Sequence, residues 1–570
     1  MRAAPLIRLG LRLGLGLGLG LGLAACGGGD GDGDGSDAAP DAPDLGPQGV
    51  VGRRVTHYDL AIDLSTRAAH VTVTAAVTAA GNCLALDYKG AAPTAVRLDG
   101  EDATVTVTAD TLTACRPHGH AVDETMTLDA DVTIALSTLS ASQVGYSVTA
   151  DRVGNPLTYL LDWVGECSRF VPCDARPGVF ATYTTHITHP AGLAVKCSGV
   201  VTDPSPTETV CDFEYAGGPA YSTLGFVAYP AWTAQPLGTW GSASVTLYDR
   251  AGSRTAAEID SAYHAGFLAW MESTFGAYPY GSDLRVLVAP TYWSGFEHPG
   301  NIVLDDALAP LAGTYDVAHT LDHEMAHQWA GDETTLADTY DFVWKEAMAE
   351  YLAFAYEADA KPAFAASTAD AWKRNSVGGG FFPVPGERPA LFTYYGAVYG
   401  PGPLILFRQL EVLSSRAQVI AALQSVLGSE RTLSMEQLVA ALAAHTGLDL
   451  GAYAAAWIYG SGTPAWPHVR TTFTAGPTTS TLAVTLTLGA ERRCKFHVAL
   501  RGAAGEETLV AVDTFRDGPT QMISMPTPAY AVTAIVLDPA DECLVLAATG
   551  PPLARPTRRP WLSPRVVDRP

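Results

Sequence analysis

The sequence predicts a multidomain α+β protein, and three observations carry that prediction. The chain has 570 residues, roughly four domains at about 150 residues each. β-type alternation runs from residue 51 to about 235, helical periodicity replaces it from about 240, and alternation returns from about 468 to 548. Hydrophobic residues make up 48% and charged residues 16%, enough apolar material for a sizeable core and far from a disordered composition. The formal net charge of -24, from 35 basic and 59 acidic residues, disfavours a nucleic-acid binder, and no nucleic-acid partner is expected.

Residues 1–26 read as a targeting segment. Arg2, Arg8 and Arg12 precede a Leu/Gly run that ends in Leu23-Ala24-Ala25-Cys26. That ending resembles a bacterial lipobox, which implies a signal peptide cleaved before a lipidated Cys26. The expectation is an exported protein held to a bacterial membrane through Cys26. The outer membrane is favoured in a cell that has one, because Gly27 rather than Asp follows. No later stretch is long and apolar enough to span a bilayer. Residues 27–50 are Gly, Asp, Ala and Pro and read as a self-repelling tether. Asp30, Asp32, Asp34 and Gly35 imitate the start of a calcium loop, but the flanks cannot form the two helices that an EF-hand requires.

Residues 51–237 are expected to form a β domain. The run from Val55 to Leu64 alternates apolar and polar side chains, as do His70 to Thr74 and Thr182 to Thr188. Turn signals at short spacing argue for antiparallel sheets. Residues 238–412 change period, with helices expected over 256–275, 316–330 and 341–360 and a strand over 284–288. A helical segment follows over 413–466, broken by Gly428 and Gly447; residues 467–548 read as a C-terminal β domain, with 481–488 its clearest strand. Residues 549–570 form an Arg/Pro-rich tail. Beyond Cys26 the chain has eight cysteines, which allow 105 pairings. Local spacing suggests Cys83–Cys115, Cys167–Cys173, Cys197–Cys211 and Cys494–Cys543, and export makes disulfides plausible.

The chemistry concentrates in His323-Glu324-Met325-Ala326-His327. Side chains four apart share one helical face, so two imidazoles can converge on one ion with Glu324 beside them. A hydrolytic zinc site needs a third protein ligand and an open position. Glu346, nineteen residues after His327, starts the next expected helix and can face the histidines. Glu350, one turn on, is either a solvated charge or a partner for a ligand histidine. His319, one turn before His323, is expected to be a neighbour rather than a third ligand.

The string from His323 to Asp332, with eighteen residues between His327 and Glu346, resembles the M1 metallopeptidases, the gluzincin aminopeptidases, whose pattern is HExxH, eighteen residues, Glu. Trp344 to Tyr351 is similar to their third-ligand segment. Gly295-Phe296-Glu297-His298 sits where the family has Gly-Ala-Met-Glu-Asn, with Phe296 in place of Met and His298 in place of Asn. Tyr399-Gly400-Pro401-Gly402 resembles the family's Tyr-x-Lys-Gly, with Pro401 in place of Lys. Phe170 to Asp174 is similar to its Pro-Cys-Phe-Asp-Glu-Pro stretch. The resemblance spans residues 51 to 466 and implies a β-saddle N-terminal domain and a thermolysin-like catalytic domain, with the last β region an added sandwich. It implies one Zn²⁺ held by His323, His327 and Glu346, with Glu324 as general base and Tyr399 as oxyanion donor; Tyr394 and Tyr395 are nearby competitors. Gly295, Phe296, Glu297 and His298 are the implied substrate-binding residues, Glu297 anchoring the substrate ammonium. The expected activity is hydrolysis of the first peptide bond of short peptides with a free N-terminus. The alternatives are an inactive surface binding protein and an endopeptidase on the same scaffold.

Overall fold

The computed structural model describes residues 45–548, apart from 138–144, 152, 292, 307, 309–315, 377–379 and 428–430. The leader with Cys26, nearly all of the tether, Gly428 and the Arg/Pro tail lie outside the described residues.

In Gly52–Asp63 the apolar side chains Tyr58, Leu60 and Ile62 are buried, while Asp59 and Ala61 between them are exposed. One face therefore meets the core, as alternation requires. This strand lies inside an eight-stranded sheet, antiparallel to Ala68–Ala79 and parallel to Phe180–Thr188, with His57 opposite Thr182. The parallel pairing corrects the expectation of purely antiparallel sheets here. Between the two strands the chain builds the three-stranded sheet of Gly81–Asp87, Thr104–Val107 and Thr111–His120 and enters a four-stranded one, an excursion long enough to return in the same direction. Three disulfides cross-link this region, Cys83–Cys115, Cys167–Cys173 and Cys197–Cys211, as the spacing suggested.

The next unit is a five-stranded mixed sheet with helices against it. Ala243–Asp249, Asp283–Ala289 and Asn301–Asp305 run parallel, and Gly295–Phe296 pairs antiparallel at the edge. Six of the seven residues of Asp283–Ala289 are buried, the pattern of a strand covered on both faces. The helix expected over 256–275 is two pieces, Thr255–Glu258 and Ser261–Phe275. The break arises because Asp260 serves as the N-cap of the second piece, its carboxylate accepting from the Tyr263 N–H. Further along, Met435–Thr446 begins at the Ser434–Gln437 capping box and ends at Gly447, whose φ of +69° suits a C-terminal cap.

The C-terminal region forms a four-stranded and a three-stranded sheet and carries the Cys494–Cys543 disulfide. Its clearest strand is Thr479–Leu486, two residues earlier than expected. The whole is a mixed α+β architecture in which β layers flank a helix-rich middle region.

Candidate active site

Two helices build the site. Asp316–His327 buries Val317, Leu321 and Met325, four apart, in the core, which turns His319, His323 and His327 toward one other face. The helix stops at His327, short of the expected 330, because the chain tightens: the N–H groups of Gln328 and Trp329 bond three residues back. Phe342–Ala360 follows a capping box between Asp338 and Asp341 and is buried along most of its length. Glu346, Glu350 and Glu357, four and seven residues apart, face the histidines.

His323 Nε2 and His327 Nε2 lie 2.9 Å apart, and Glu346 Oε2 lies 3.4 Å and 3.5 Å from them. Ligand atoms about 2.0–2.1 Å from a tetrahedral zinc stand roughly 3.3 Å from one another, so the spacing fits. The far side of each ring supports the same reading. His327 Nδ1 donates to the Ala330 carbonyl at 3.0 Å, which leaves Nε2 as the lone-pair nitrogen. Glu350 Oε1 stands 3.3 Å from His323 Nδ1, in ion-pair range although off the line of a hydrogen bond. Among the described residues these three alone form a cluster of metal-ligand type, all buried, and they can hold one zinc ion.

The electrostatics separate the carboxylates by task. Burial pushes the Glu324 carboxyl up to about 8; a dication in the triad favours its ionised form. Glu346 is held well below the usual carboxylate range against the cost of burial, first by the Lys345 ammonium and then by His327. Glu350 is also held low despite burial, chiefly by His319. His319 is no ligand. It bonds Glu357 through Nδ1 at 2.6 Å and Glu350 through Nε2 at 3.2 Å, and Trp372 Nε1 also donates to Glu350 at 2.7 Å. Glu350 is thus the partner of a ligand histidine rather than a solvated charge.

Around this centre the cleft is lined by Trp163, Trp293, Ser294, Gly295, Phe296, Glu297, Tyr395 and Tyr399, with the helix residues at its floor. Gly295 lies so close to Glu324 that a Cβ there would overlap its carboxylate, so a side chain at this position would displace Glu324. The Tyr399 hydroxyl is 3.2 Å from His323 Nε2. Of its two competitors, Tyr394 turns away to the Pro383 carbonyl, whereas Tyr395 lines the cleft 5.2 Å from Tyr399 between ring centres. His298 does not join the cleft. The extended chain that points Glu297 inward sends His298 to the opposite side, where its buried ring sits against the Gly225 backbone. Of the four residues expected to bind substrate, Gly295, Phe296 and Glu297 line the cleft and His298 does not.

Three contributors were not singled out from the sequence. Lys345 is buried, with Nζ 2.7 Å from Glu297 Oε1 and 2.8 Å from Glu346 Oε1. A lysine beside the third ligand, the one basic residue of a helix whose other charges are acidic, was its signal. Gln328 ties the Glu297 loop to the histidine helix, donating to the Glu297 carbonyl at 3.1 Å and accepting from the Gly300 N–H at 2.9 Å. Trp163 comes from the N-terminal domain and packs edge-on against Phe342 and Tyr395; no local signal marked it.

Residues 263–377 match the Peptidase family M1 domain, so this unit is a peptidase-type hydrolase domain. The fold is similar to that of an M1 zinc metallopeptidase from Deinococcus radiodurans, solved as a variant bound to a Tyr-Ser-Ala substrate: TM-score 0.60, 23% identity, 72% of this chain and 96% of that one. A two-domain M1 zinc metallopeptidase variant bound to L-tryptophan matches at TM-score 0.61 and 23% identity, over 72% of this chain and 96% of that one. Legionella pneumophila aminopeptidase A, in complex with aspartic acid, matches at TM-score 0.68 and 15% identity, over 88% of this chain and 60% of that one.

Proposed function

We propose that the protein is a zinc aminopeptidase that hydrolyses the first peptide bond of short peptides. One observation carries this reading: a buried two-histidine, one-glutamate triad shares a cleft with Glu324 and Tyr399. When bound, the ion supplies Lewis acidity to the attacking water and to the scissile carbonyl. Glu324 takes the proton of the attacking water and passes it to the leaving amine, and a dication in the triad would favour the ionised carboxylate that this role needs. The Tyr399 hydroxyl donates to the oxyanion that develops on the carbonyl. Glu297 receives the N-terminal end of the substrate, and Trp163, Trp293 and Phe296 give the first side chain an apolar surround.

A fluorogenic amino-acid amide tests the reading. Turnover should disappear with a chelator, return with zinc, and fall about 10²- to 10⁴-fold in Glu324→Gln, which keeps the metal. Zinc content without turnover in the unaltered protein would sink the enzyme and leave a binding protein. The placement we propose is an exported protein anchored through lipid on Cys26; four disulfides agree with an oxidising compartment. Cys26→Ser should release the protein from the membrane fraction.

A further inference from the structure

A subsite that demands a substrate ammonium has to present an uncompensated anion. Here the anion is compensated from within. The Lys345 side chain is 1% exposed and its ammonium lies 2.7 Å from Glu297 Oε1, while Glu297 itself borders the cleft. The other carboxylates of the described cleft lining have separate tasks: Glu324 beside the metal helix, Glu346 in the triad, and Glu350 behind His323 and His319. Glu297 is therefore the carboxylate left to hold an amine, and the cation that would complete it is already in place.

We propose that Lys345 is a specificity-determining residue: by neutralising Glu297 it makes the N-terminal subsite nearly electroneutral, so that the cleft accepts peptides with a neutral, acylated N-terminal nitrogen as well as those with a free ammonium. The inference rests on the aminopeptidase reading and adds the substrate class. The physical reason is the usual source of discrimination. An enzyme rejects an analogue lacking a charge chiefly because its own buried charge is then left unpaired. With Lys345 on Glu297, a capped substrate leaves no such charge behind. A free ammonium, for its part, approaches a carboxylate that already carries a partner and meets the like charge of Lys345 close by. The same ammonium lies 2.8 Å from Glu346 Oε1, which ties the subsite to the triad and makes metal content a necessary control.

The test compares phenylalanine 4-methylcoumaryl amide with its N-acetyl form, on zinc-loaded protein of measured metal content. For the unaltered protein the ratio of kcat/KM values, free over acetylated, should stay below about tenfold. In Lys345→Gln it should rise by about tenfold or more, as Glu297 becomes an unpaired anion. Lys345→Arg, which keeps the charge, should restore the low ratio. Binding of Phe-Ala and N-acetyl-Phe-Ala by calorimetry in the Glu324→Gln background reads the same subsite without chemistry. It decides the question even where neither amide is turned over, an outcome that would refute the aminopeptidase reading alone. An unaltered protein that prefers the free amine more than about a hundredfold overturns the proposal. So does a Lys345→Gln variant that weakens both ligands equally, since that is what a purely structural lysine would do.

Discussion

The catalytic unit and the β regions around it are held together by different means. Every described disulfide lies in a β region, three in the N-terminal domain and one in the C-terminal sandwich. The chain from residue 212 to 493 contains no cysteine at all. That stretch instead buries paired polar side chains: His319 between Glu350 and Glu357, His264 hydrogen-bonded to Asp322 at 2.6 Å, and Lys345 between Glu297 and Glu346. Buried pairs are costly to desolvate and add little net stability, but they hold side chains in one geometry when every partner is present. The β regions are thus built for persistence and the catalytic unit for fixed positioning.

That contrast can be broken from either side. The largest expected effect on stability is in the sandwich. Replacing Cys494 and Cys543 by Ser opens a link across 49 residues of sequence, worth about 4 kcal/mol by loop-closure entropy, and should lower the melting of that region while zinc binding persists. On the catalytic side, Tyr399→Phe should cost about 3 kcal/mol of transition-state stabilisation, read as kcat at unchanged metal content. Glu350→Gln should loosen the orientation of His323 and weaken zinc affinity by about 10- to 100-fold in a chelator competition, with the disulfide-linked regions melting as before.

The smallest effect sharpens the comparison through pH. Burial pushes the His298 imidazole down to about 4 from its ordinary value near 6.5, with Glu297 opposing the shift. Between these values the unfolded chain binds a proton that the folded protein does not, so stability rises with pH across this window. Acidification from pH 6.5 to 5 should cost up to about 2 kcal/mol at this site, and His298→Phe should flatten that part of the profile. A profile unchanged by the substitution would place the acid sensitivity elsewhere.

Much of the site was legible because its signals are local. The helical spacing of 323 and 327 pairs the two imidazoles, the need for a third protein ligand points downstream, and the eighteen-residue spacing that resembles the M1 pattern singles out Glu346. The disulfide pairs were legible for the same reason, each partner being near in sequence. The placement of His298 was not legible because a motif position does not say which side of an extended chain faces the cleft; Gly225, seventy-odd residues away, leaves room for the ring outside the cleft lining. The parallel pairing of Gly52–Asp63 with Phe180–Thr188 was missed because alternation reports which face is buried and carries no strand direction.

The amino-acid string by itself determined the order of β and α regions, the pairing of the cysteines and the spacing that brings His323, His327 and Glu346 together, since each depends on periodicity or short spacing. Only the tertiary structure decided that Lys345 sits on Glu297, that Trp163 crosses from the N-terminal domain to wall the cleft, and that Gln328 pins the Glu297 loop. Those contacts join residues brought together by packing, and the balance of charge in a cleft is a property of what surrounds it in space, which no spacing along the chain encodes.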